Sequence, residues 1–63
     1  MVSLREARED IGFTLQELAE AADLPRGTIW NWESGRCVPS DFTVFRDVAK
    51  VLGVPARRIF LGA

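Results

Sequence analysis

The chain reads as one all-α domain of five short helices. Three observations lead to that class. Ser3-Leu4-Arg5-Glu6 and Thr14-Leu15-Gln16-Glu17 both carry a capping box, in which a hydroxyl accepts from the backbone and a glutamate three residues on reaches back. Apolar residues recur at helical rather than alternating spacing: Leu15, Leu18, Ala19 and Ala22, then Phe42, Phe45, Val48, Ala49 and Leu52. Glycine or proline punctuates the segments at Gly12, Pro25, Gly35, Gly53 and Pro55, and no stretch shows a strand pattern.

The elements follow in order. Ser3 caps a first helix expected over residues 4–11, with Leu4, Ala7, Arg8 and Ile11 at helical spacing and Gly12 as the stop. Thr14 caps a second, expected over 15–22. Asp23 ends it, because aspartate tolerates a left-handed or turn conformation better than most residues. Leu24 precedes a proline and is therefore extended, while Pro25 suits a helix start. The third helix is expected over 26–34 and is stopped by Gly35. The connection between the second and third helices is so short that the chain must reverse sharply. Ser40 is the expected N-cap of a fourth helix over 41–52, and Pro55 opens a short fifth over 56–61.

Length and composition bound the function. Sixty-three residues make a single domain, taken as residues 1–63. A chain this short buries only about 60% of its unfolded surface, so its stability margin is thin. An apolar fraction of 48%, with four Phe and two Trp, still supplies a real core. One cysteine and no histidine exclude an intrachain disulfide and a Cys/His metal cluster, and no cofactor is implied. There is no signal-peptide pattern and no apolar run that could span a bilayer, which leads to the expectation of a reducing, cytoplasmic setting. Without a histidine base, a glycine-rich phosphate loop or a carboxylate pair in a cleft, an enzyme is not expected. The net charge of −1 argues mildly against nucleic acid, but the distribution matters more. Residues 1–25 carry two basic and six acidic side chains, whereas residues 26–63 carry six basic and three acidic.

The third helix holds both tryptophans. At 100° per residue, Ile29, Trp32 and Glu33 share one side, and Gly27, Thr28 and Asn31 share the roughly opposite one. Trp32 is thus a core residue, while Trp30 stands on the flank. A small polar face permits close approach to a partner and offers uncharged donors and acceptors suited to base edges; it is equally what a solvated face looks like.

The order and spacing of these pieces resemble the Cro/CI-type (XRE) helix-turn-helix DNA-binding domain, whose fold is lambda-repressor-like. The matching stretches are Leu4-Arg5-Glu6-Ala7-Arg8, Gly12-Phe13-Thr14-Leu15-Gln16-Glu17-Leu18-Ala19, Thr28-Ile29-Trp30-Asn31-Trp32-Glu33-Ser34-Gly35 and Ala49-Lys50-Val51-Leu52-Gly53-Val54. The resemblance implies that the third helix is a recognition helix in the major groove, with Arg26, Gly27, Thr28 and Asn31 facing bases. It implies phosphate contacts from Thr14 and Gln16 at a helix N-terminus, and makes Arg36 and Ser40 further candidates. It also implies a structural ion pair between Arg8 and Glu33. Four positions depart from the family pattern: Asp23 stands where glycine is usual, Leu15 where glutamine is frequent, Ile11 where a basic residue is frequent, and Pro25 where serine or threonine usually caps the recognition helix. The expected consequence is modest affinity per protomer and steep dependence on dimerisation.

Competing readings stand beside these. Arg26 either reads a base or stacks on Trp30 one turn away. Trp30 packs at the rim of the core, meets a protein partner or second copy, or touches the DNA backbone. Arg57 and Arg58 read as solvated, and Cys37 as incidental. Phe60 and Leu61 read as core and rim, with Leu61 also a candidate dimer contact. The leading function is a sequence-specific DNA-binding transcriptional regulator, a homodimer on a palindromic operator. The alternative is a protein-interaction module, an antitoxin or an adaptor, on the same fold.

Overall fold

Both capping boxes form, and they set where the first two helices begin. The computed structural model describes residues 1–62. Helix α1 spans Leu4–Asp10; Ser3 Oγ accepts from the Glu6 amide at 3.1 Å, and Glu6 Oε1 accepts from the Ser3 amide at 3.3 Å. Helix α2 spans Leu15–Ala21 with the same exchange between Thr14 and Glu17. Helix α3 is Arg26–Ser34, as expected. Its cap residue Pro25 provides no side-chain hydrogen bond, so the loss expected from the missing serine or threonine is real. Helix α4 is Phe42–Leu52.

All four helices stop in one way. The residue after the last turn takes a left-handed conformation and the next amide reaches back to the helix: Phe13 N to Arg8 O, Leu24 N to Ala19 O, Arg36 N to Asn31 O and Val54 N to Ala49 O. That pattern satisfies carbonyls the helix leaves open. Glycine holds the left-handed position in three cases; Asp23, at φ 56°, holds it in the turn between α2 and α3. The sequence expectation for Asp23 is met. Gly35 has a second reason to be glycine. A Cβ there would lie 3.2 Å from Cα of Gly62, whose amide also donates to Trp32 O at 3.3 Å.

The start of α4 and the end of the chain require correction. Ser40 does not cap α4: Asp41 does, its Oδ1 accepting from the Thr43 amide at 2.9 Å, so the helix starts one residue late. Phe42 falls on the apolar stripe yet is 63% exposed, since it sits in the first turn, outside the buried cluster. Ile11, placed on the first apolar stripe, lies beyond α1 and is exposed. The fifth helix over 56–61 is not formed. Pro55 starts a single 3₁₀ turn, Ala56–Arg58, closed by Arg58 N to Pro55 O at 2.9 Å. The chain then extends as β2 (Ile59–Phe60) and pairs in parallel with β1 (Val2–Ser3), in the register Val2 with Ile59 and Ser3 with Phe60. Successive strand residues face opposite ways. Ile59 is accordingly buried, and Phe60, read from sequence as core, is exposed.

The described residues therefore form four α-helices, one 3₁₀ turn and a two-stranded sheet. Leu4, Leu18, Ile29 and Val48 are fully buried, one from each α-helix, within a single apolar cluster that all four helices share. Burial of such a side chain is worth about 1.5–3 kcal/mol. Trp32 meets Phe45 edge to face, ring centroids 6.2 Å apart, and anchors α3 on α4. No helix among the described residues is long and apolar enough to cross a membrane.

Candidate nucleic-acid interface

The geometry of α3 is set from its inner side. Ile29, Trp32 and Glu33 are buried, as the wheel predicts. Glu33 is only 4% exposed, and both its oxygens are used. Oε2 accepts from Arg8 Nε at 2.7 Å; Oε1 accepts from Arg8 Nη2 at 3.1 Å and from Arg5 Nε at 3.5 Å. Arg8 also donates through Nη1 to the Phe13 carbonyl at 2.9 Å, which fastens the end of α1 to the same cluster. The hydrogen bond from Arg8 to Glu33 raises the guanidinium pKa above its ordinary value; burial opposes this, and the charges of Glu33 and Glu9 add to it. A raised folded-state pKa gives stability that is complete below the unfolded value and lost only as pH rises through the folded one. Arg8 is thus charged across the whole working range, and the pair is a fixed clamp.

Arg8 and Glu33 were legible in the sequence, but Arg5 was not named with them. The available signal was its spacing: residues three apart on a helix share a face, and Arg5 and Arg8 are three apart.

The outer side of α3 is arranged differently. Arg26 and Gly27 are exposed, and Thr28 and Asn31 are half-buried at the surface. Among the described residues the side chains of Arg26, Thr28 and Asn31 form no hydrogen bond or ion pair within the chain. Their side-chain donors and acceptors are thus not used within the chain. Asn31 uses its carbonyl, which accepts from the Arg36 amide at 2.9 Å and from Ser34 Oγ at 3.2 Å. Arg36 therefore begins the segment immediately beside the outer side of α3. Its guanidinium lies over the Trp30 ring, 5.2 Å from the centroid, and Trp30 is 46% exposed. The alternative stack of Arg26 on Trp30 is not the one formed. Gly35 folds the chain back so that residue 36, rather than residue 26, meets the indole.

Burial of Glu33 has an electrostatic effect that sequence reading missed. Between Leu24 and Ser40 the chain has one carboxylate, Glu33, and two cations, Arg26 and Arg36. With Glu33 inside and neutralised by Arg8, the outer surface of this stretch presents both arginines and no exposed acid. The acidic side chains Glu9, Asp10, Glu17, Glu20 and Asp23 are exposed on α1, α2 and their ends. Within a chain of net charge −1, the stretch from Leu24 to Ser40 thus exposes two cations and no carboxylate, between exposed Asp23 and Asp41.

The remaining candidates fall as follows. Thr14 is exposed, but its Oγ1 is already the acceptor for the Glu17 amide, leaving its own O–H to donate outward. Gln16 is exposed and donates to Glu20 Oε2 at 3.0 Å, so a carboxylate already occupies its amide. Ser40 is exposed in the loop before α4. Leu61 is half-buried against the chain's own core. Cys37 is exposed and free.

A family model described as a helix-turn-helix domain matches residues 2–59. The chain belongs to the helix-turn-helix domain family. Comparison with curated proteins and with solved structures gave no match. The structure places α2, a tight connection over residues 22–25 and α3 in helix-turn-helix order, and the matched span runs from β1 to the first residue of β2.

Proposed function

We propose that this helix-turn-helix domain is a sequence-specific DNA-binding transcriptional regulator that inserts α3 into the major groove. Arg26 donates in a fork to guanine O6 and N7, Asn31 pairs with adenine, Thr28 touches a thymine methyl, and Gly27 lets the backbone approach. Thr14, Gln16, Arg36 and Ser40 meet phosphates. The observation that carries this reading is the outer face of α3, where Arg26 is unpaired and Thr28 and Asn31 have unused polar side chains, on a helix whose only acid is buried, with Arg36 unpaired just past its cap.

The regulator acts as a homodimer on a palindromic site. Two recognition helices must then lie about 34 Å apart, one turn of duplex. A protomer measuring 25 × 23 × 21 Å over its Cα atoms is the right size for two copies side by side to meet that spacing. Linking two weak half-sites raises affinity through effective concentration. The protein has no catalytic role in this reading.

Selection of bound duplexes from a random pool tests it, repeated with Arg26→Ala and Asn31→Ala. The expected result is a palindromic consensus in which each variant loses one base preference, with affinity falling steeply as salt rises. No enrichment from the pool, or binding indifferent to salt, overturns it. A protein-interaction role, as an antitoxin or an adaptor, is the second reading; the exposed Trp30 and the acidic exposed residues of α1 and α2 favour it. A stoichiometric protein partner that co-purifies and competes with DNA would move the assignment there.

A further inference from the structure

We infer that Trp30 is a positioning residue for Arg36, and that the two form a stacked clamp on one backbone phosphate beside the bases read by α3. The inference rests on the DNA-binding reading and adds a residue whose part in it neither the wheel nor the family match assigns. Three features carry it. An indole left 46% exposed on a recognition helix is a large apolar group the core does not use. The backbone of Arg36 is fixed, since its amide donates to Asn31 O at 2.9 Å and Gly35 before it holds a left-handed turn at φ 79°. The Arg36 guanidinium then lies over the Trp30 ring at 5.2 Å and, among the described residues, has no carboxylate partner.

The chemistry of arginine makes this arrangement useful. Its N–H donors lie in the guanidinium plane, while stacking on an aromatic ring uses the face of that plane. Contact with Trp30 restrains the side chain, and its N–H donors, unused within the chain, remain for a phosphate fork. An arginine held in place loses less rotamer freedom on binding than one free in solvent. Trp30 needs no contact with DNA in this scheme; it acts through Arg36. Because a phosphate carries no sequence information, the pair sets affinity and register and leaves base preference alone.

The test uses the duplex selected by the unaltered protein, with Trp30→Ala, Trp30→Phe, Arg36→Ala and the Trp30→Ala/Arg36→Ala double variant. In the free protein, the side-chain protons of Arg36 should show an upfield ring-current shift by NMR that Trp30→Ala abolishes and Trp30→Phe retains in part. Arg36→Ala should weaken binding about tenfold and lower the salt slope by about 0.9, the loss of one phosphate contact. Trp30→Ala should weaken it about threefold, with an unchanged consensus, and Trp30→Phe should restore most of that. The double variant should bind like Arg36→Ala alone. Additive losses in the double variant, a changed consensus in Trp30→Ala, or no ring-current shift in the free protein would each overturn the clamp while leaving DNA recognition standing. An unaltered protein that binds no duplex from the pool would remove the DNA reading and the clamp with it, whatever the NMR spectrum shows.

Discussion

On the inner face of α3, Glu33 has both oxygens engaged by Arg8 and Arg5 and is almost wholly buried; on the outer face, Thr28 and Asn31 stand half-buried with no side-chain hydrogen bond inside the chain. The two faces belong to one nine-residue helix, yet their polar groups do opposite things. Inside, polar groups are consumed in fixing where the helix lies. Outside, they are left to water, and an unused polar group at a surface is what a partner can engage. If that division holds, substitutions on the two faces should separate cleanly: one set changes stability, the other changes binding.

The largest effect belongs to the inner face. Glu33→Ala leaves Arg8, whose side chain is 13% exposed, charged and without its partner. Removing one member of a buried pair costs about 3–5 kcal/mol, which is most of the stability a domain of this size possesses. The variant should be largely unfolded near room temperature by circular dichroism. A melting curve close to that of the unaltered protein would show that the clamp does not hold α3, and the comparison of faces would fail at its stronger end.

Asn31→Ala probes the outer face. Its expected effect on folding is within about 0.5 kcal/mol, as for a surface position without internal partners. Its expected effect on the cognate duplex is a loss of about 1–3 kcal/mol, confined to one base position. Urea unfolding and a binding titration on the same sample measure both. A destabilisation as large as the binding loss would mean that Asn31 supports the monomer, and the outer face would no longer be free.

Thr14→Ala sharpens the comparison, because an exposed polar residue need not be an idle one. Thr14 looks like a phosphate ligand and already serves as the cap of α2. Losing the cap should cost about 1 kcal/mol and lower the melting temperature by roughly 4–8 °C. Thr14→Ser should keep the cap and the melting temperature. If Thr14→Ala left the melting temperature unchanged, the cap would be ornamental and only the phosphate role would remain.

What could be read from the sequence divides along the range of the interactions. The first three helices were legible because their signals are local: a hydroxyl and a glutamate three residues apart, a proline at the first turn, a left-handed residue after the last. The wheel placed Ile29, Trp32 and Glu33 inward for the same reason, and Arg8 with Glu33 came from the family resemblance. The end of the chain was misread because what decides it is not local. Ile59 is held by Val2, at the other end of the sequence, and no pattern near Pro55 announces that pairing. A helix through residue 61 would have satisfied the same local signals. The stack of Arg36 on Trp30 escaped for a related reason. Helical spacing offers Arg26 as the partner, whereas the turn at Gly35 delivers Arg36. At Ser40 and Asp41 two good cap residues are adjacent, and sequence alone does not choose between them.

The smallest effect lies in the turn that aims α3. Gly12, Gly35 and Gly53 end three helices in the left-handed conformation, and Asp23 does the same job at φ 56°. An L-residue there carries a steric cost of about 1–2 kcal/mol, reduced for aspartate by its short polar side chain. Asp23→Gly removes that cost but loosens the unfolded chain, which returns about 0.4–1 kcal/mol. The net expectation is a gain of about 0.5 kcal/mol in urea unfolding, with α3 presented as before. The substitution also removes an exposed carboxylate from the end of α2, next to the start of α3. Binding should therefore tighten slightly at low salt and be unchanged at high salt, since an exposed charge acts only within a screening length. A loss of stability would mean that Asp23 is held by more than its backbone, and that the turn is chosen for this aspartate rather than despite it.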